Sequence, residues 1–253
     1  EMRNKVLERI ETASLMTDQA ARARALTFVV VGGGFAGIET ITEIEDMARG
    51  AVRENNRLKR EDLRFVMIEA MGRVMPEVKP DQAEWVVASM RERGIEVLLN
   101  TPVASAEGGL LKLINMADKS PAGEFEADTL IWTAGVQANP MVRATDFPID
   151  DRGRVRANAE LRITGDDGPL EGAWAAGDVS AVPDLTGGGV GGFCVPNAQH
   201  AVRQAKRLAK NLLADRYGEG QVVEYRHKNL GAVAGMGQYK GVANIMGFGM
   251  KGL

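Results

Sequence analysis

Phe28-Val-Val-Val-Gly-Gly-Gly-Phe-Ala-Gly-Ile-Glu39 joins an apolar β-branched run to a glycine-rich turn and then to a helical pattern. Its glycines have the spacing Gly32-x-Gly34-x-x-Gly37. Gly32 permits a tight turn, Gly34 lets the backbone approach a phosphate, and Gly37 lets the helix pack closely on the strand. The helix N-terminus adds free N–H groups and a partial positive charge. The stretch therefore predicts a dinucleotide pyrophosphate site; because the chain has 30 glycines, a strand–helix turn without a ligand is the alternative.

The composition is that of a soluble globular protein, with 45% hydrophobic and 26% charged residues. At 253 residues the chain holds one large domain or two ordinary ones. A net charge of −3 gives no reason to expect a nucleic acid partner. The single cysteine, Cys194, excludes an internal disulfide and a CxxC redox pair, so we expect a reduced, cytoplasmic compartment. No apolar run approaches the roughly 18 residues that span a bilayer.

Hydrophobic periodicity predicts alternating strands and helices across the first half of the chain. The predicted strands are 27–31, 63–69, 95–99 and 128–133, and the predicted helices are 37–49 and 81–93. An antiparallel meander over 103–126, turning at Gly108-Gly109, precedes the last strand. This order predicts a dinucleotide-binding domain over residues 26–138, after a charged helix over 2–26 that breaks near Thr17-Asp18.

The second half of the chain carries fewer regular patterns. Short strands are expected over 149–165, and residues 173–178 form a strand end. A strong helix is predicted over 197–213, and its periodic apolar face consists of Ala198, Ala201, Val202, Ala205, Leu208, Ala209 and Leu212. The tail from residue 225 alternates glycine with Ala, Val and Met, which predicts strands or irregular structure.

Two glutamates lie where they can face a cofactor. Glu69 ends the second predicted strand, where a carboxylate can accept hydrogen bonds from both hydroxyls of an adenine ribose and repel a 2′-phosphate. That favours NAD over NADP; the alternative is an exposed glutamate at a strand end. Glu39 lies in the first turn of the glycine-turn helix, where a carboxylate can handle a proton near a nicotinamide–flavin contact. Acidic residues also favour helix N-termini without any such role, and the residues alone favour neither interpretation.

Trp174-Ala-Ala-Gly-Asp178 combines small residues with a carboxylate at a strand end. Small side chains allow the backbone close to a cofactor, and Asp178 can accept a hydrogen bond from a ribityl hydroxyl. On its own the motif fits any strand-to-turn ending. Its place between the glycine turn and the 197–213 helix makes it more specific, because the first turn of that helix offers free N–H groups to a flavin carbonyl.

In order along the chain, VVVGGGFAGIE, FVMIEA, DTLIWTAGV, WAAGDVSAVP and PNAQHAVRQAKRLAKNL resemble the motifs of type II NADH:quinone oxidoreductases. These are single-subunit, non-proton-pumping flavoproteins of the two-dinucleotide-binding-domain (pyridine nucleotide-disulfide oxidoreductase) superfamily. The resemblance covers the chain from about residue 2 to its end. It implies the cofactors FAD and NADH, hydride transfer from NADH to FAD, and electron transfer to a membrane quinone in the respiratory chain. It also implies a peripheral position on the inner face of the cell membrane, and it is compatible with a homodimer.

The resemblance assigns roles to individual residues. Glu39 is placed beside the nicotinamide and the flavin, and Ala198-Gln199 caps the flavin ring with Gln199 approaching the quinone, so Glu39 and Gln199 are the candidate catalytic residues. The candidate cofactor contacts are Gly32, Gly33, Gly34, Phe35, Ala36, Gly37, Glu39, Glu69, Ala134, Gly135, Gly177, Asp178, Ala198 and Gln199. No metal ligand is expected. Arg203 departs from the amide residue that family members often have one helix turn after the glutamine.

The implied fold class is α/β, a Rossmann-like NADH-binding domain inserted into a FAD-binding domain that is incomplete here. The implied boundaries are 1–25 for a helical remnant of the FAD domain, 26–138 for the NAD(H)-binding domain, 139–215 for the second half of the FAD domain, and 216–253 for the start of a C-terminal, membrane-proximal and quinone-side region. A family member carries its own FAD fingerprint and C-terminal amphipathic helices, and the sequence contains neither. We therefore expect a fragment.

Two other functions stay open. A truncated chain that lacks the FAD pyrophosphate loop is expected to be an NADH-binding module without flavin or catalysis. Another FAD-dependent NADH reductase, such as a ferredoxin, rubredoxin or sulfide:quinone reductase, is the second alternative. Disulfide reductases and sulfide:quinone enzymes rely on reactive cysteines, so a chain with one cysteine argues against both.

Overall fold

The computed structural model describes residues 1–252, apart from the side chain of Val190, and it divides into two compact units. We call Glu1–Gly135 with the residues from Gly231 onward the sheet unit, and Val136–Leu230 the α5 unit. In chain order the helices are α1 (Met2–Leu15), α2 (Gln19–Ala25), α3 (Phe35–Arg53), α4 (Pro80–Glu92) and α5 (Ala198–Tyr217). The strands are β1 (Thr27–Val31), β2 (Arg64–Ile68), β3 (Ile95–Leu98), β4 (Val103–Ser105), β5 (Leu110–Ile114), β6 (Pro121–Glu126), β7 (Thr129–Trp132), β8 (Val155–Arg156), β9 (Arg162–Gly165), β10 (Gly168–Trp174), β11 (Ser180–Ala181), β12 (Gly231–Gly235), β13 (Gly241–Ile245) and β14 (Phe248–Gly252).

A parallel sheet of order β3-β2-β1-β7 forms the centre of the sheet unit. Every residue of β1 is buried, as expected of a central strand that is covered on both faces. Val31 at the end of β1 pairs with Ile68 on β2 and with Trp132 on β7. The three carboxyl ends therefore meet at one edge, which is where α/β sheets bind their ligands. The predicted α/β fold with a parallel sheet is confirmed.

Different elements cover the two faces of this sheet. Helices α3 and α4 pack on one face, where Ile38, Ile41 and Met90 join Phe28 and Phe65 in a buried cluster. The antiparallel meander β4-β5-β6 packs on the other face. Leu111 and Leu113 of β5 lie there in a second buried cluster, whose other members are Val29, Val31, Val66, Ile68 and Ala127. The glycine turn at the start of α3 is thus set in a sheet with little freedom to move.

The N-terminal residues form two helices of the sheet unit. Helix α1 ends at Leu15, and Asp18 begins α2 by accepting hydrogen bonds from the amides of Ala20 and Ala21 at 2.8 and 3.2 Å. This break agrees with the predicted interruption near Thr17-Asp18. Val6, Ile10 and Ala13 of α1 are buried in the same cluster as α3.

The C-terminal residues return to the sheet unit as an antiparallel sheet of order β12-β13-β14. Its buried face contributes Ala234, Met236 and Val242 to the cluster under α3 and α4. The Gln82 side chain on α4 donates to the carbonyl of Ala243 at 2.7 Å. The tail predicted as strands or irregular structure is therefore a three-stranded sheet that completes the core of the sheet unit.

The α5 unit is built around one capped helix and two small sheets. Asn197 begins α5, and Gly218 ends it in the left-handed conformation at φ +69°. Strand β9 pairs with β10 in antiparallel orientation, and β8 pairs with β11 in parallel orientation. Two small hydrophobic clusters lie beside them, one containing Leu161 and Tyr225 and the other Val155 and Ile163.

The apolar face predicted for α5 does not lie in the core. Val202 is 53% exposed and Leu212 is 37% exposed, and Ala198, Ala205 and Ala209 are also exposed. The residues that α5 buries are His200, Gln204 and Asn211.

The face is polar because of the chain segments that cover it. These segments are turns and irregular structure, and their N–H and C=O groups need hydrogen-bond partners. Asn211 donates to the carbonyls of Glu160 and Val223 at 2.8 and 2.9 Å and accepts from the Val223 amide at 3.1 Å. A count of apolar residues could not detect this requirement, because the partners are distant in sequence.

Among residues 1–252, none of the helices has the length and apolar character needed to cross a bilayer.

Candidate functional site

The glycine turn of the sheet unit shows a separate reason for each of its three spaced glycines. Gly32 adopts φ +110°, and a Cβ there would lie 2.7 Å from the Ala134 amide nitrogen. A Cβ on Gly37 would overlap the Gly32 carbonyl oxygen, so this position is the close contact between helix and strand. A Cβ on Gly34 would meet nothing within 4 Å. Gly34 is therefore the position where a ligand can approach the backbone.

The N-terminus of α3 is uncapped beside this open position. The first intrahelical bond runs from the Ile38 amide to the Gly34 carbonyl at 3.1 Å, and no side chain caps the helix. The amides of Phe35, Ala36 and Gly37 precede that bond and have no partner within the helix. Three amides at a helix N-terminus, next to a backbone without a side chain, fit a pyrophosphate.

Glu69 lies at the same edge and is fixed by the turn. Its two carboxylate oxygens accept from the amides of Gly33 at 2.6 Å and Met71 at 2.7 Å. Each oxygen has a second lone pair, so the carboxylate can still accept hydroxyl hydrogen bonds. A Cβ on Gly33 would lie 2.8 Å from the side chain of Val74 and 3.0 Å from that of Glu69, so a glycine is needed where the turn passes these two side chains.

The end of β7 closes the other side of the turn. Thr133 donates its hydroxyl to the carbonyl of Val31 at 2.9 Å, and the indole of Trp132 donates to the Ala134 carbonyl at 2.9 Å. Gly135 follows at φ +81°. Ala134 and Gly135 were predicted as contacts, whereas the clamping role of Thr133 was missed. A polar residue at the end of an apolar strand was the available signal.

Glu39 lies just beyond the first turn of α3, and not in that turn as predicted, because the helix begins at Phe35. Its exposed carboxylate is held from a distant part of the chain. Oε1 accepts from the amide of Gly235 at 3.0 Å, across 196 residues of sequence. Gly235 is the last residue of β12. The candidate catalytic carboxylate therefore has one orienting hydrogen bond inside the sheet unit, which sequence spacing could not reveal.

In the α5 unit the Gly177-Asp178 pair forms a tight turn. Gly177 adopts φ +79°, and its carbonyl accepts from the amide and the hydroxyl of Ser180 at 3.0 and 2.8 Å. Asp178 lies at the exposed tip of this turn. Within residues 1–252 its carboxylate has no hydrogen-bond or ion-pair partner. An exposed carboxylate on a constrained turn fits a hydroxyl-bearing ligand.

The first turn of α5 begins with two amides that precede its first hydrogen bonds. Asn197 accepts from the His200 amide at 2.9 Å, and the first intrahelical bond joins the Ala201 amide to the Asn197 carbonyl at 3.0 Å. The amides of Ala198 and Gln199 precede these bonds. The Gln199 side chain accepts from the Leu230 amide at 3.3 Å, which orients its amide group.

His200 is a buried packing residue and not a solvent-facing one. It is 3% exposed, and its Nδ1 lies 2.9 Å from the Tyr225 hydroxyl. Burial, followed by the neighbouring His227, lowers the pKa of His200, so its imidazole is neutral near pH 7. Burial raises the pKa of Tyr225 to about 12 and that of the Cys194 thiol to about 11. Cys194 is therefore a protonated thiol that packs in the α5 unit, and not a nucleophile.

Among residues 1–252, no group of three or more His, Cys, Asp or Glu side chains is arranged to hold a metal ion. Within the sheet unit the structure brings together the predicted contacts of the glycine turn, Glu69 and residues 134–135. Within the α5 unit it brings Gly177 against α5, where a Cβ on Gly177 would lie 3.7 Å from the Cβ of Ala201.

A family model described as pyridine nucleotide-disulphide oxidoreductase matches residues 2–205. A type II NADH:quinone oxidoreductase of Mycobacterium tuberculosis is 27% identical over 256 residues, an alignment that covers 97% of this chain and 51% of the relative. A probable NADH dehydrogenase of Dictyostelium discoideum is 26% identical, covering 100% of this chain and 53% of the relative. The chain thus spans about half the length of the curated relatives it matches.

Among solved structures, NDH2 of Plasmodium falciparum in complex with NADH superposes with a TM-score of 0.86 at 18% identity. The match covers 98% of this chain and 64% of that one. At this identity the likeness shows the fold, and it agrees with the α/β architecture described above.

Proposed function

The chain belongs to the pyridine nucleotide-disulphide oxidoreductase family, and on that premise we propose that its sheet unit binds NADH at the glycine turn. The observation that best supports this proposal is the N-terminus of α3, where three amides precede the first helical hydrogen bond and no atom lies within 4 Å of a Cβ placed on Gly34. The pyrophosphate would accept from the amides of Phe35, Ala36 and Gly37. This proposal includes the other predicted turn contacts, Gly32 and Gly33, together with Ala134 and Gly135.

Glu69 supports NADH over NADPH. Its carboxylate is anchored by the Gly33 and Met71 amides at the edge where an adenine ribose lies in dinucleotide folds. A 2′-phosphate placed there would meet a fixed negative charge. We therefore assign Glu69 the role of ribose acceptor and NADPH discriminator.

The α5 unit fits a flavin. We propose that Asp178 accepts a ribityl hydroxyl of FAD and that the amides of Ala198 and Gln199 face the ring. A bound flavin supplies a hydride acceptor for the nicotinamide and an electron donor for a quinone. The helix N-terminus stabilises negative charge on the reduced ring through its partial positive charge.

Two side chains are placed to serve the chemistry. Glu39, oriented by the Gly235 amide near the N-terminus of α3, is positioned to hold or release a proton. Gln199, oriented by the Leu230 amide, is positioned to hydrogen-bond an acceptor carbonyl. Neither side chain forms a covalent bond to a substrate or cofactor in this scheme, so the role of each depends on where its polar group is held.

The activity of the whole protein follows from its relatives' names and is likewise a proposal. We propose that the whole protein is a non-electrogenic NADH:quinone oxidoreductase of the respiratory chain. In this proposal it lies peripherally on the inner face of the cell membrane, and a homodimer is one assembly that its subunits can form. The domain boundaries implied above, with 26–138 as the NADH domain and 139–215 as part of the FAD domain, belong to the same proposal.

The test is NADH oxidation by the native-length protein reconstituted with FAD and supplied with a soluble quinone. We expect NADH-dependent quinone reduction that is lost in Glu39→Ala. A flavin that NADH reduces without any quinone reduction would instead favour a different electron acceptor, such as a ferredoxin or rubredoxin.

A second function is supported by the sheet unit, which contains every residue proposed to contact the NADH pyrophosphate and ribose. Such a chain can bind NADH as a module without flavin. The visible absorption spectrum of the purified 253-residue chain separates the two cases. A flavin band supports the enzyme, and a colourless chain that still binds NADH supports the module.

A further inference from the structure

Gln204 is a buried amide in the middle of α5, at a position where an amphipathic helix normally places an apolar side chain. It is only 2% exposed. A buried amide destabilises the folded state unless its polar atoms are hydrogen-bonded. The identity of its partner therefore indicates why the amide is there.

Its side chain shares a hydrogen bond with the buried Cys194, and its other partner is the turn proposed to contact FAD. Gln204 Oε1 accepts from the amide of Gly177 at 2.7 Å, directly before Asp178. The carbonyl of Gly177 is held in turn by the amide and hydroxyl of Ser180. Both polar groups of Gly177 are thus engaged, so the backbone that presents Asp178 has little rotational freedom.

The same contact fixes the turn to the helix N-terminus. Ala198 and Gln204 lie on one α-helix, and six residues of helix rise by about 9 Å. The covalent connection between Asp178 and Ala198 is long and contains five glycines in residues 182–197, and its internal hydrogen bonds include that of the Cys194 amide to the Val182 carbonyl. Gln204 adds a direct link between the two parts of the proposed flavin site.

The region behind the turn is closely packed. A cavity of about 10 Å³, lined by Gly177, Asp178, Ser180, His200 and Gln204 among others, has room for about one water molecule. A loss of the Gln204 contact would therefore leave the Gly177 amide without a protein partner and free the turn to shift.

We propose that Gln204 is a positioning residue that holds the Gly177-Asp178 turn in register with Ala198 and Gln199, and thereby sets the affinity for FAD. The inference rests on the proposed function, since it requires FAD at Asp178. Gln204 acts through the turn and does not itself contact the ligand.

The experiment compares FAD affinity and thermal stability of the native-length protein in four variants. Gln204→Met keeps the length of the side chain but removes the acceptor, and we expect FAD Kd to rise roughly ten- to hundredfold. Gln204→Glu keeps an acceptor oxygen and should restore FAD Kd to within a few-fold of wild type. Gln204→Asn is one methylene too short and should give an intermediate loss, which preserves the test if the Met variant does not fold.

Asn211→Leu is the matched control. Asn211 is fully buried on the same helix and bonds to backbone, but its partners are Glu160 and Val223 and not the Gly177 turn. We expect Asn211→Leu to lower Tm while FAD Kd stays within about threefold of wild type. NADH Kd should be unchanged in every variant.

The proposal is overturned if the Gln204→Met and Gln204→Asn variants bind FAD as well as an Asn211→Leu protein of equal Tm, or if Gln204→Glu fails to restore binding that Gln204→Met has lost. A wild-type protein that binds no FAD contradicts the proposed function itself, and this result is visible before any variant is made.

Discussion

Gly37 and Gly34 belong to one turn, but their surroundings differ. A Cβ on Gly37 would overlap the Gly32 carbonyl oxygen, whereas a Cβ on Gly34 would meet only open space. Backbone cannot move aside as a flexible side chain can. Gly37 is therefore required for packing, whereas Gly34 leaves room for a ligand, and the spacing of the motif predicts this division.

We expect Gly37→Ala to destabilise the folded chain by about 3 kcal/mol, because α3 would have to move away from β1. Urea unfolding followed by circular dichroism measures this loss. Gly50→Ala is a matched control, since a Cβ on Gly50 of the same helix would meet only the flexible end of Arg53 at 3.9 Å. An unchanged midpoint for Gly37→Ala would show that the helix–strand contact is looser than described.

Glu69 combines two structural hydrogen bonds with a charge. Glu69→Gln keeps one oxygen, which can accept from the Gly33 amide, but it removes the negative charge and the acceptor of the Met71 amide. We expect the ratio of NADPH Kd to NADH Kd to fall by roughly tenfold, because the 2′-phosphate no longer meets a carboxylate. Titrations of both nucleotides against tryptophan fluorescence measure the ratio. A ratio equal to that of the wild type would remove Glu69 from the ribose site.

His200 makes stability depend on pH. Burial, followed by His227, lowers its pKa in the folded state below the ordinary value of 6.5. As the pH falls, the unfolded chain binds the proton first, so stability is fully present above about 6.5 and is lost as the pH falls toward the lower folded value. We expect Tm to decline below pH 6.5 and His200→Gln to reduce that decline, while the half-buried His227, whose pKa is also lowered by desolvation, still contributes. A steeper decline in the variant would contradict the assignment.

At the scale of elements, the stability of helix α5 depends on Asn197, the residue that caps its N-terminus. Asn197 accepts from the His200 amide at 2.9 Å, and loss of an N-cap costs about 1 kcal/mol. We expect Asn197→Ala to lower the free energy of unfolding by that amount and Asn197→Ser to retain most of it. Denaturant titration of the two variants provides the measurement, and equal stabilities would mean that the cap contributes nothing.

The elements also show what a sequence can and cannot predict. The apolar run of β1, the glycine turn and α3 follow from local patterns, so their order and the α/β fold were predictable. The buried face of α5 was not, because Gln204 and Asn211 are buried for backbone partners at Gly177, Glu160 and Val223 that no periodicity marks. Likewise the bond between Glu39 and Gly235 joins residues whose proximity only the folded chain creates.

At the scale of the whole molecule, the sheet unit is built from both ends of the chain. Strands β12–β14 complete the core beneath α3 and α4 and supply the amide that orients Glu39. Every element proposed to hold the NADH pyrophosphate and ribose lies in this unit. We therefore expect the 253-residue chain to bind NADH without a bound flavin.

The most direct test of this central claim is the NADH Kd of Gly34→Ala in the 253-residue chain, measured by calorimetry beside its Tm. Gly34 has φ −74° and open space around the added methyl, so the fold should accept alanine and Tm should stay within about 2 °C of wild type. The same methyl lies where the pyrophosphate must approach, so NADH Kd should rise by at least tenfold. An unchanged NADH Kd at an unchanged Tm would show that the dinucleotide does not bind at this turn.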